Sequence, residues 1–311
     1  MARVQIERII GTWTTLTPVF HFGTDDTGIG PTNRRMDLWD SNVGEVADVP
    51  CISANAVRGV LRRIIMADFL ELVGYEVESP KLHHALCSGG QLESTDDNTS
   101  SIDMAMRRAL IEGIPPLGLL GTSIGNQILT SCLQVDHAMP VCEERKWQRD
   151  LRRKGTLLQA PDRRLWDGDP RWEQSGNRLT SRHFYTRRDD LHADRDDDAQ
   201  AVQMLVEPEC IVPGALFEHG FALKNASAVE SGCLGRALEL WAIRPTIGGK
   251  ASGGFGQLLL DYDHIPDSSP YLAWCAENVD LAVDALNLIV NPPKAAKRAK
   301  KGETEEGASS S

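Results

Sequence analysis

Hydrophobic and polar side chains alternate at the start of the chain. In residues 3–10, the polar residues Gln5, Glu7 and Arg8 lie between apolar residues at Val4, Ile6 and Ile10. A period of two is typical of a β-strand with one buried face. We expect this first strand to continue as far as Phe22.

The next pattern has the spacing of an α-helix. Apolar residues recur there at intervals of three and four, at Val57, Val60, Leu61, Ile64, Ile65, Phe69 and Leu72. The pattern predicts a helix over residues 55–73 that is capped by Ser53 or Asn55 and ended by Gly74.

Six further elements follow from the remaining patterns. They are a short helix at 103–112, a strand at 129–137, two strands within 201–223, a helix that begins at Ser227, and a strand after Gly256. Ser227 and Glu230 have the spacing of a capping box. The core order is therefore strand, helix, strand, strand, helix, strand. This order predicts an α+β fold of the ferredoxin-like or RNA-recognition type.

The core elements are separated by long insertions. We expect one elaborated domain over residues 1–293, built on a core of residues 1–22, 50–74, 117–142 and 200–265. Residues 23–49 are predicted as a long loop, residues 75–116 as a second polar insertion, and residues 143–198 as a third insertion. A single C-terminal helix is predicted over 270–290, and residues 294–311 are predicted to be a disordered tail.

Composition excludes some classes of protein. The chain has 311 residues and a net charge of −11, which argues against a protein that binds nucleic acid with its whole surface. No apolar run approaches the roughly 18 residues of a membrane helix, so we expect a cytoplasmic protein. Its seven cysteines are scattered without a Cys-x-x-Cys pair, which favours reduced thiols and no zinc site or other cofactor.

One segment has the opposite charge. Residues 145–188 hold 13 Arg or Lys against five acids, with aromatic residues interleaved at Trp147, Trp166, Trp172, Phe184 and Tyr185. Cations that neutralise phosphates, next to rings that stack on bases, are what a single-strand nucleic-acid binder requires. The alternative is a flexible charged insertion whose tryptophans pack locally.

The start of the first helix is a candidate phosphate site. Its free N–H groups, the planar forks of Arg58 and Arg62, and the small Gly59 together suit a polyanion. Ser53 and Asn55, which precede these residues at the helix start, are also candidate RNA-binding residues. The alternative is a capped surface helix with solvated arginines.

A glycine-rich loop is the second candidate. Residues 248–256 contain five glycines in nine positions. That density lets a backbone approach a ligand closely. The candidate binding residues are Gly249, Lys250, Ser252, Gly253, Gly254 and Phe255. A nucleotide P-loop is excluded, because Lys250 is followed by Ala251 and then by a strand.

Four ordered motifs resemble the repeat-associated (RAMP) RNA-binding superfamily of CRISPR systems. They are the Pro50 to Arg62 segment, Leu119-Leu120-Gly121, the Val135 to Pro140 segment and the Gly248 to Gly256 loop. Val212-Pro213-Gly214 before Phe217 resembles a further family signature. The form around Asn55 and Arg58 looks most like the guide-coating backbone subunit of type IV complexes.

The resemblance implies a function and partners. It implies a non-catalytic subunit that polymerises head to tail along a CRISPR guide RNA and presents it to target DNA or RNA. Further implied partners are a guide-end-binding subunit, a large or capping subunit, a guide-processing nuclease and, for type IV, a helicase. The resemblance also implies that the core forms a palm and that residues 143–198 form a thumb, a projecting hairpin that contacts the guide. Within the thumb we select Arg178, Arg182, Arg187 and Arg188.

Two alternatives stay open from the sequence. The first is a type III-like endonuclease that cleaves target RNA with a metal held by an Asp of loop 23–49, whose acids are Asp25, Asp26, Asp37, Asp40 and Asp48. The second is a small-molecule α+β protein whose glycine loop holds a phosphate group.

Overall fold

The computed structural model of the protein describes residues 5–26, 30–40, 43–90, 104–124, 127–153, 168–187 and 204–291. The strands are β1 (Ile6–Thr15), β2 (Phe22–Asp26), β3 (Pro31–Asn33), β4 (Arg35–Asp40), β5 (Glu45–Pro50), β6 (Thr122–Ile124), β7 (Gln127–Leu129), β8 (Leu133–Val135), β9 (Met139–Pro140), β10 (Thr180–Arg182), β11 (Tyr185–Arg187), β12 (Met204–Val206), β13 (Glu209–Ile211), β14 (Leu216–Lys224) and β15 (Leu258–Tyr262). The α-helices are α1 (Ala54–Leu72), α2 (Pro80–His83), α3 (Met104–Gly113), α4 (Pro115–Leu120), α5 (Lys146–Arg153), α6 (Ala228–Ile243), α7 (Ser269–Glu277) and α8 (Val279–Val290).

The central sheet has the strand order β15-β1-β14-β8, and all its pairs are antiparallel. Trp13 of β1 lies opposite Phe217 of β14 on one side and Leu260 of β15 on the other. The four core strands therefore pair as fourth, first, third and second, which is the ferredoxin-like arrangement. The α+β class and the predicted core order are confirmed.

Helices α1 and α6 cover one face of this sheet. The Trp13 ring meets the ring of Trp241 of α6 edge to face, at 5.5 Å between centroids. Helix α6 begins with the predicted capping box, because the Ser227 side chain accepts from the Glu230 N–H and the Glu230 carboxylate accepts from the Ser227 N–H. No helix among the described residues combines the length and apolar character needed to cross a membrane.

The base of the thumb covers part of the opposite face. Arg145 forms a buried ion pair of 2.7 Å with Glu218, which points away from the helices. Trp172 packs with Leu216 and Val141 in a small buried cluster. This part of the sheet face is therefore closed to stacking by nucleobases.

The prediction of a loop over residues 23–49 is wrong. The structure has two hairpins there, β2 with β3 and β4 with β5. The second hairpin pairs six consecutive residues, from Arg35 opposite Pro50 to Asp40 opposite Glu45. Arg35 anchors it, because its guanidinium bonds to Asp48 at 2.6 Å and to Glu209 of β13 at 3.5 Å. The loop prediction depended on local composition, which does not reveal such long-range contacts.

The first strand is shorter than predicted. It ends at Thr15, whose hydroxyl donates to the Val212 carbonyl at 2.7 Å. The next residue, Leu16, donates its N–H to the Gln257 carbonyl at 2.8 Å. The chain thus leaves the sheet before Pro18, which has no N–H to donate to a ladder.

Three other boundaries also differ from the prediction. The strand predicted at 129–137 is divided into β7 and β8, and the two strands predicted within 201–223 are three. The C-terminal helix is divided into α7 and α8 at Asn278. The Asn278 side chain donates to the Trp274 carbonyl at 2.9 Å, and this local bond competes with continuation of the helix.

Candidate nucleic-acid interface

Ser53 caps helix α1 at the first candidate site. Its side-chain oxygen accepts from the Ala56 N–H at 3.3 Å. Its own N–H donates to Nε2 of His21 at 3.1 Å, and the Ala54 N–H donates to Nδ1 of His137 at 3.3 Å. Asn55, one residue later, is exposed. Two ring nitrogens therefore lie at the positive end of a 19-residue helix.

Arg58 and Arg62 point into the protein, contrary to the expectation that they share an exposed face. Arg62 is only 7% exposed, and its guanidinium donates to the carbonyls of Leu120 at 3.0 Å and Gly121 at 2.8 Å. Arg58 donates to the carbonyls of Leu120 at 2.5 Å and Leu133 at 2.9 Å. We call this pair the arginine clamp. Burial and the positive charge of Arg58 lower the pKa of Arg62 to about 10.

Three of the sequence motifs contact one another, and the arginine clamp makes one of these contacts. The first motif holds the second, because both arginines donate to the Leu120 carbonyl. The first motif also holds the third, because Ile52 and Ala138 exchange backbone hydrogen bonds of 3.0 and 2.9 Å. Some of the residues that carry the resemblance therefore have a structural role, because they bond one motif to another.

The glycine loop has a tightly turned backbone. Gly248 and Gly256 have φ values of +82° and +80°, and a Cβ on Gly256 would lie 2.1 Å from the Ile247 carbonyl oxygen. Lys250 is left-handed as well, with φ 63°. The predicted residues of this loop lie at the surface, with Phe255 half-buried and the others exposed: Gly249, Lys250, Ser252, Gly253 and Gly254.

The segment of residues 18–21 brings the two candidate sites together, and we call it the joining segment. Phe20 accepts a bond of 2.8 Å from the Gly249 N–H, and Pro18 accepts one of 2.9 Å from the Gly256 N–H. The next residue, His21, bonds to Ser53. Two stretches that are nearly 200 residues apart in the chain thus contact one short segment.

The same segment contacts the base of the thumb. Val19 exchanges two backbone bonds of 2.9 Å with Ile211, and Ile211 pairs with Thr180 of β10. His183, which directly follows β10, contacts the glycine loop. Its ring meets the ring of Phe255 edge to face, with 6.5 Å between centroids. The base of the thumb at β10, the glycine loop and the start of α1 are therefore all linked through the joining segment.

The predicted thumb cations are only partly described. Arg178 and Arg182 are exposed, and Arg182 donates to the Glu207 carbonyl at 3.1 Å. The backbone of Arg187 pairs with Met204 in β11 and β12. Arg188 lies outside the described residues, as do Trp166 and the tail 294–311.

Some of the basic and aromatic residues in this segment are structural. Trp172 is fully buried, and the guanidinium groups of Arg145 and Arg149 lie 5.9 and 5.5 Å from its ring centroid. Lys146 bonds to Glu173. Phe184, in contrast, is 64% exposed. The sequence left open whether the tryptophans of this segment pack locally, and Trp172 does so.

Arg34 is a candidate that the sequence pattern did not single out. It is exposed, its N–H donates to the His21 carbonyl at 2.8 Å, and its carbonyl accepts from the Cys51 N–H at 3.0 Å. Its positive charge, added to the larger effect of burial, lowers the pKa of His21 to about 4. Arg34 thus places a cation beside the start of α1, where Arg58 and Arg62 had been expected.

The acids of the endonuclease alternative are spread along the two hairpins, β2 with β3 and β4 with β5. Asp37 and Asp48 are directly opposite each other in β4 and β5, and Asp48 is bound to Arg35. Asp40 is buried, and the side chains of Asp25 and Asp26 are not described. Within the described residues, no group of three or more His, Cys, Asp or Glu side chains is arranged to hold a metal ion.

Comparisons with known proteins identify the fold. No protein-family model matches the chain, and no curated protein matches it significantly. A chain in the solved structure of a "Type IV-B CRISPR Complex" matches it with a TM-score of 0.55 and 18% sequence identity. The match covers 82% of this chain and 90% of that chain. At this identity, the likeness shows that the two chains share a fold.

Proposed function

We propose that this chain is a non-catalytic, guide-RNA-coating backbone subunit of a CRISPR effector complex of the type IV kind. The observation that carries the proposal is the meeting of the α1 start, the glycine loop and the thumb base on the joining segment. The shared fold with a chain of a type IV-B complex supports it.

The surface offers groups that suit a phosphate backbone. The exposed loop of Gly249 to Gly254 lets a polynucleotide approach closely, and the exposed Arg34 and Arg178 supply positive charge. These groups recognise phosphates and shape, which are the same for every sequence. Base pairing between guide and target then supplies sequence recognition, as in other RNA-guided effectors.

The distribution of charge reconciles this role with an acidic protein. Residues 251–293 contain six Asp or Glu and no Lys or Arg. Among these acids, Asp280 and Asp284 are exposed on α8. Helix α8 contacts the residues just beyond the C-terminal end of α1, because the Tyr75 hydroxyl donates to the Asn287 side chain at 3.2 Å. Helix α1 is about 28 Å long at 1.5 Å per residue. The acidic helix therefore lies far from the proposed RNA track.

The proposed assembly is a head-to-tail array of copies along the guide. A heterologous contact that does not close gives a helical filament, whose length the RNA and the end subunits set. The further proposed partners are target DNA or RNA, a guide-end-binding subunit, a large or capping subunit, a guide-processing nuclease and a helicase.

We include the absence of catalysis in the proposal. Asp48 is already engaged by Arg35, and Asp37 is exposed beside it. This arrangement does not favour a metal-dependent endonuclease. The test is incubation of the guide-loaded complex with a complementary RNA and magnesium. Cleavage that is lost when one of the five candidate acids is changed to Ala would support the endonuclease instead; these are Asp25, Asp26, Asp37, Asp40 and Asp48.

Extraction of nucleic acid from the purified protein tests the main role. The full chain is co-expressed with a CRISPR array transcript, purified at increasing salt, and analysed by gel and by mass. We expect RNA of uniform length and a mass of several copies. A monomer without RNA would reject the proposal and would favour a small-molecule phosphate binder.

A matched pair of variants locates the RNA track. Arg34→Ala removes an exposed cation beside the α1 start, and Arg108→Ala removes an exposed cation on α3. Loss of one phosphate contact lowers affinity for all sequences and reduces the salt dependence by about one unit. We expect that change for Arg34→Ala and none for Arg108→Ala.

A further inference from the structure

An exposed aromatic side chain lies beside the joining segment. Phe22 is 59% exposed, whereas Phe20, two residues earlier, is only 5% exposed. Their rings meet edge to face, with centroids 4.9 Å apart and an interplanar angle of 60°. The buried ring therefore supports the exposed one.

Phe20 is itself fixed against the glycine loop. Its carbonyl accepts the Gly249 N–H at 2.8 Å, and a Cβ added to Gly249 would lie 3.0 Å from Cδ1 of the Phe20 ring. Side chains alternate along an extended segment, so Phe20 and Phe22 share one side while His21 takes the other. Phe22 is thus joined to the glycine loop through a single ring.

The backbone holds Phe22 in place too. Phe22 pairs with Asn33 between β2 and β3, and the Arg34 N–H bonds to the His21 carbonyl next to it. A ring that rests on one neighbouring ring and whose backbone is paired loses little freedom when a base stacks on it. Exposed aromatic faces of this kind are what single-strand nucleic-acid binders present to bases.

We propose that Phe22 is a stacking platform for one unpaired nucleobase of the RNA at this interface. The inference rests on the proposed RNA-binding function and adds a contact to the base, where the other groups contact phosphates. The base must be unpaired at this position, because a base inside a continuous duplex has both faces covered by its neighbours.

The test compares two RNAs and three variants of the full chain. One probe is a single-stranded oligoribonucleotide with 2-aminopurine, and the other is a matched oligomer of abasic residues, which keeps the phosphates. Phe22→Leu keeps an apolar side chain without a ring, and Phe22→Tyr keeps the ring. Leu259→Ala is the matched control, since Leu259 is 58% exposed on β15.

We expect Phe22→Leu to bind the oligomer with bases about fivefold or more weakly, which is the lower range for loss of one stacked base. Its affinity for the abasic oligomer should equal that of the wild type. Phe22→Tyr and Leu259→Ala should leave both affinities unchanged. Quenching of 2-aminopurine fluorescence on binding should be lost only in Phe22→Leu.

Three results would overturn this inference. Phe22→Leu could bind both oligomers as the wild type does, or lose affinity for both equally. It could also reduce the mass of the assembly, which would mean that Phe22 contacts a second copy of the chain. If the wild type binds neither oligomer, the proposed function fails with it, and this outcome is distinct from an effect confined to Phe22→Leu.

Discussion

The N–H of Ser53 donates a hydrogen bond of 3.1 Å to Nε2 of His21. This bond joins the helix that carries the first sequence motif to the segment that holds the glycine loop. Nε2 accepts a hydrogen bond here, so the His21 ring must be neutral with its own hydrogen on Nδ1. Burial and the nearby charge of Arg34 keep it neutral by lowering the pKa of His21 to about 4.

Replacement of His21 tests this joint. In His21→Leu the Ser53 N–H loses its acceptor, and an unpaired buried donor costs about 1–3 kcal/mol of stability. In His21→Gln the amide oxygen can accept the same hydrogen, so we expect a smaller loss. Urea unfolding followed by tryptophan fluorescence measures both.

The exposed His264 provides the control for this experiment. His264→Leu removes an imidazole from the surface and should change the free energy of unfolding by about 0.5 kcal/mol or less. Equal stability of His21→Leu and His21→Gln would show that the bond to Ser53 does not hold the joint.

The low pKa of His21 predicts a dependence of stability on pH. An unfolded histidine titrates near 6.5, whereas folded His21 titrates at about 4. Between these two values the unfolded state binds more protons, so stability rises with pH. The contribution of His21 is therefore complete above about pH 6.5 and is lost as the pH falls towards 4.

Comparison with His21→Gln isolates this contribution from other groups. His219 is neutral for the same reason, because burial lowers its pKa to about 3, and it titrates in both proteins. We expect the stability advantage of the wild type over His21→Gln to shrink between pH 6.5 and 4.5 in urea unfolding. A constant difference across that range would contradict the low pKa of His21.

Because Arg58 and Arg62 form the buried arginine clamp, we expect their replacement to lower the stability of the protein and not only its RNA affinity. If Arg58 and Arg62 were exposed phosphate ligands, as the sequence predicts, Arg58→Ala with Arg62→Ala would weaken RNA retention and leave the fold intact. In the structure, Arg62→Ala alone leaves the Gly121 carbonyl without its Arg62 donor and removes one of the two arginine donors to the Leu120 carbonyl. Bonds from a charged donor are worth about 1.5–3 kcal/mol each, so we expect a loss of about 3 kcal/mol or more.

Arg34→Ala is the counterpart of this substitution. Its side chain is exposed, so the free energy of unfolding should change by about 0.5 kcal/mol or less while RNA affinity falls. Measurement of both quantities for both variants separates a structural arginine from one that binds RNA. A stable Arg62→Ala protein with weak RNA binding would restore the original assignment.

The sequence predicted what local periodicity and caps determine. Helices α1 and α6 begin and end within a residue or so of the prediction, because an apolar stripe, Ser53 or Ser227 and a terminating residue define each of them. The order of the core strands followed from the same elements. The glycine loop was recognised from composition alone.

Long-range contacts were not predictable from those patterns. The direction of Arg62 depends on the carbonyls of residues 120 and 121, which lie nearly 60 residues away. The role of His21 depends on Ser53, and no spacing in the sequence joins the two. Arg34 lies in a stretch whose composition predicted a loop, but pairing between neighbouring strands forms two hairpins there.

Lys250 combines an unfavourable backbone with an exposed charge. Asn225 and Lys250 are the two residues other than glycine with positive φ among those described, and Lys250 has φ 63° and ψ 27°. A residue with a Cβ pays about 1–2 kcal/mol in this conformation, and glycine does not. Part of that gain is offset, because glycine is more flexible in the unfolded chain by about 0.5–1 kcal/mol.

Lys250→Gly should therefore separate stability from function. We expect the free energy of unfolding to stay constant or to rise by up to about 1 kcal/mol. RNA affinity should fall, and the slope of log affinity against log salt should decrease by about one unit. Lys250→Ala removes the same charge but keeps the Cβ, so it should match Lys250→Gly in RNA binding and be less stable. An unchanged salt slope in both variants would remove Lys250 from the RNA track, whatever their stability.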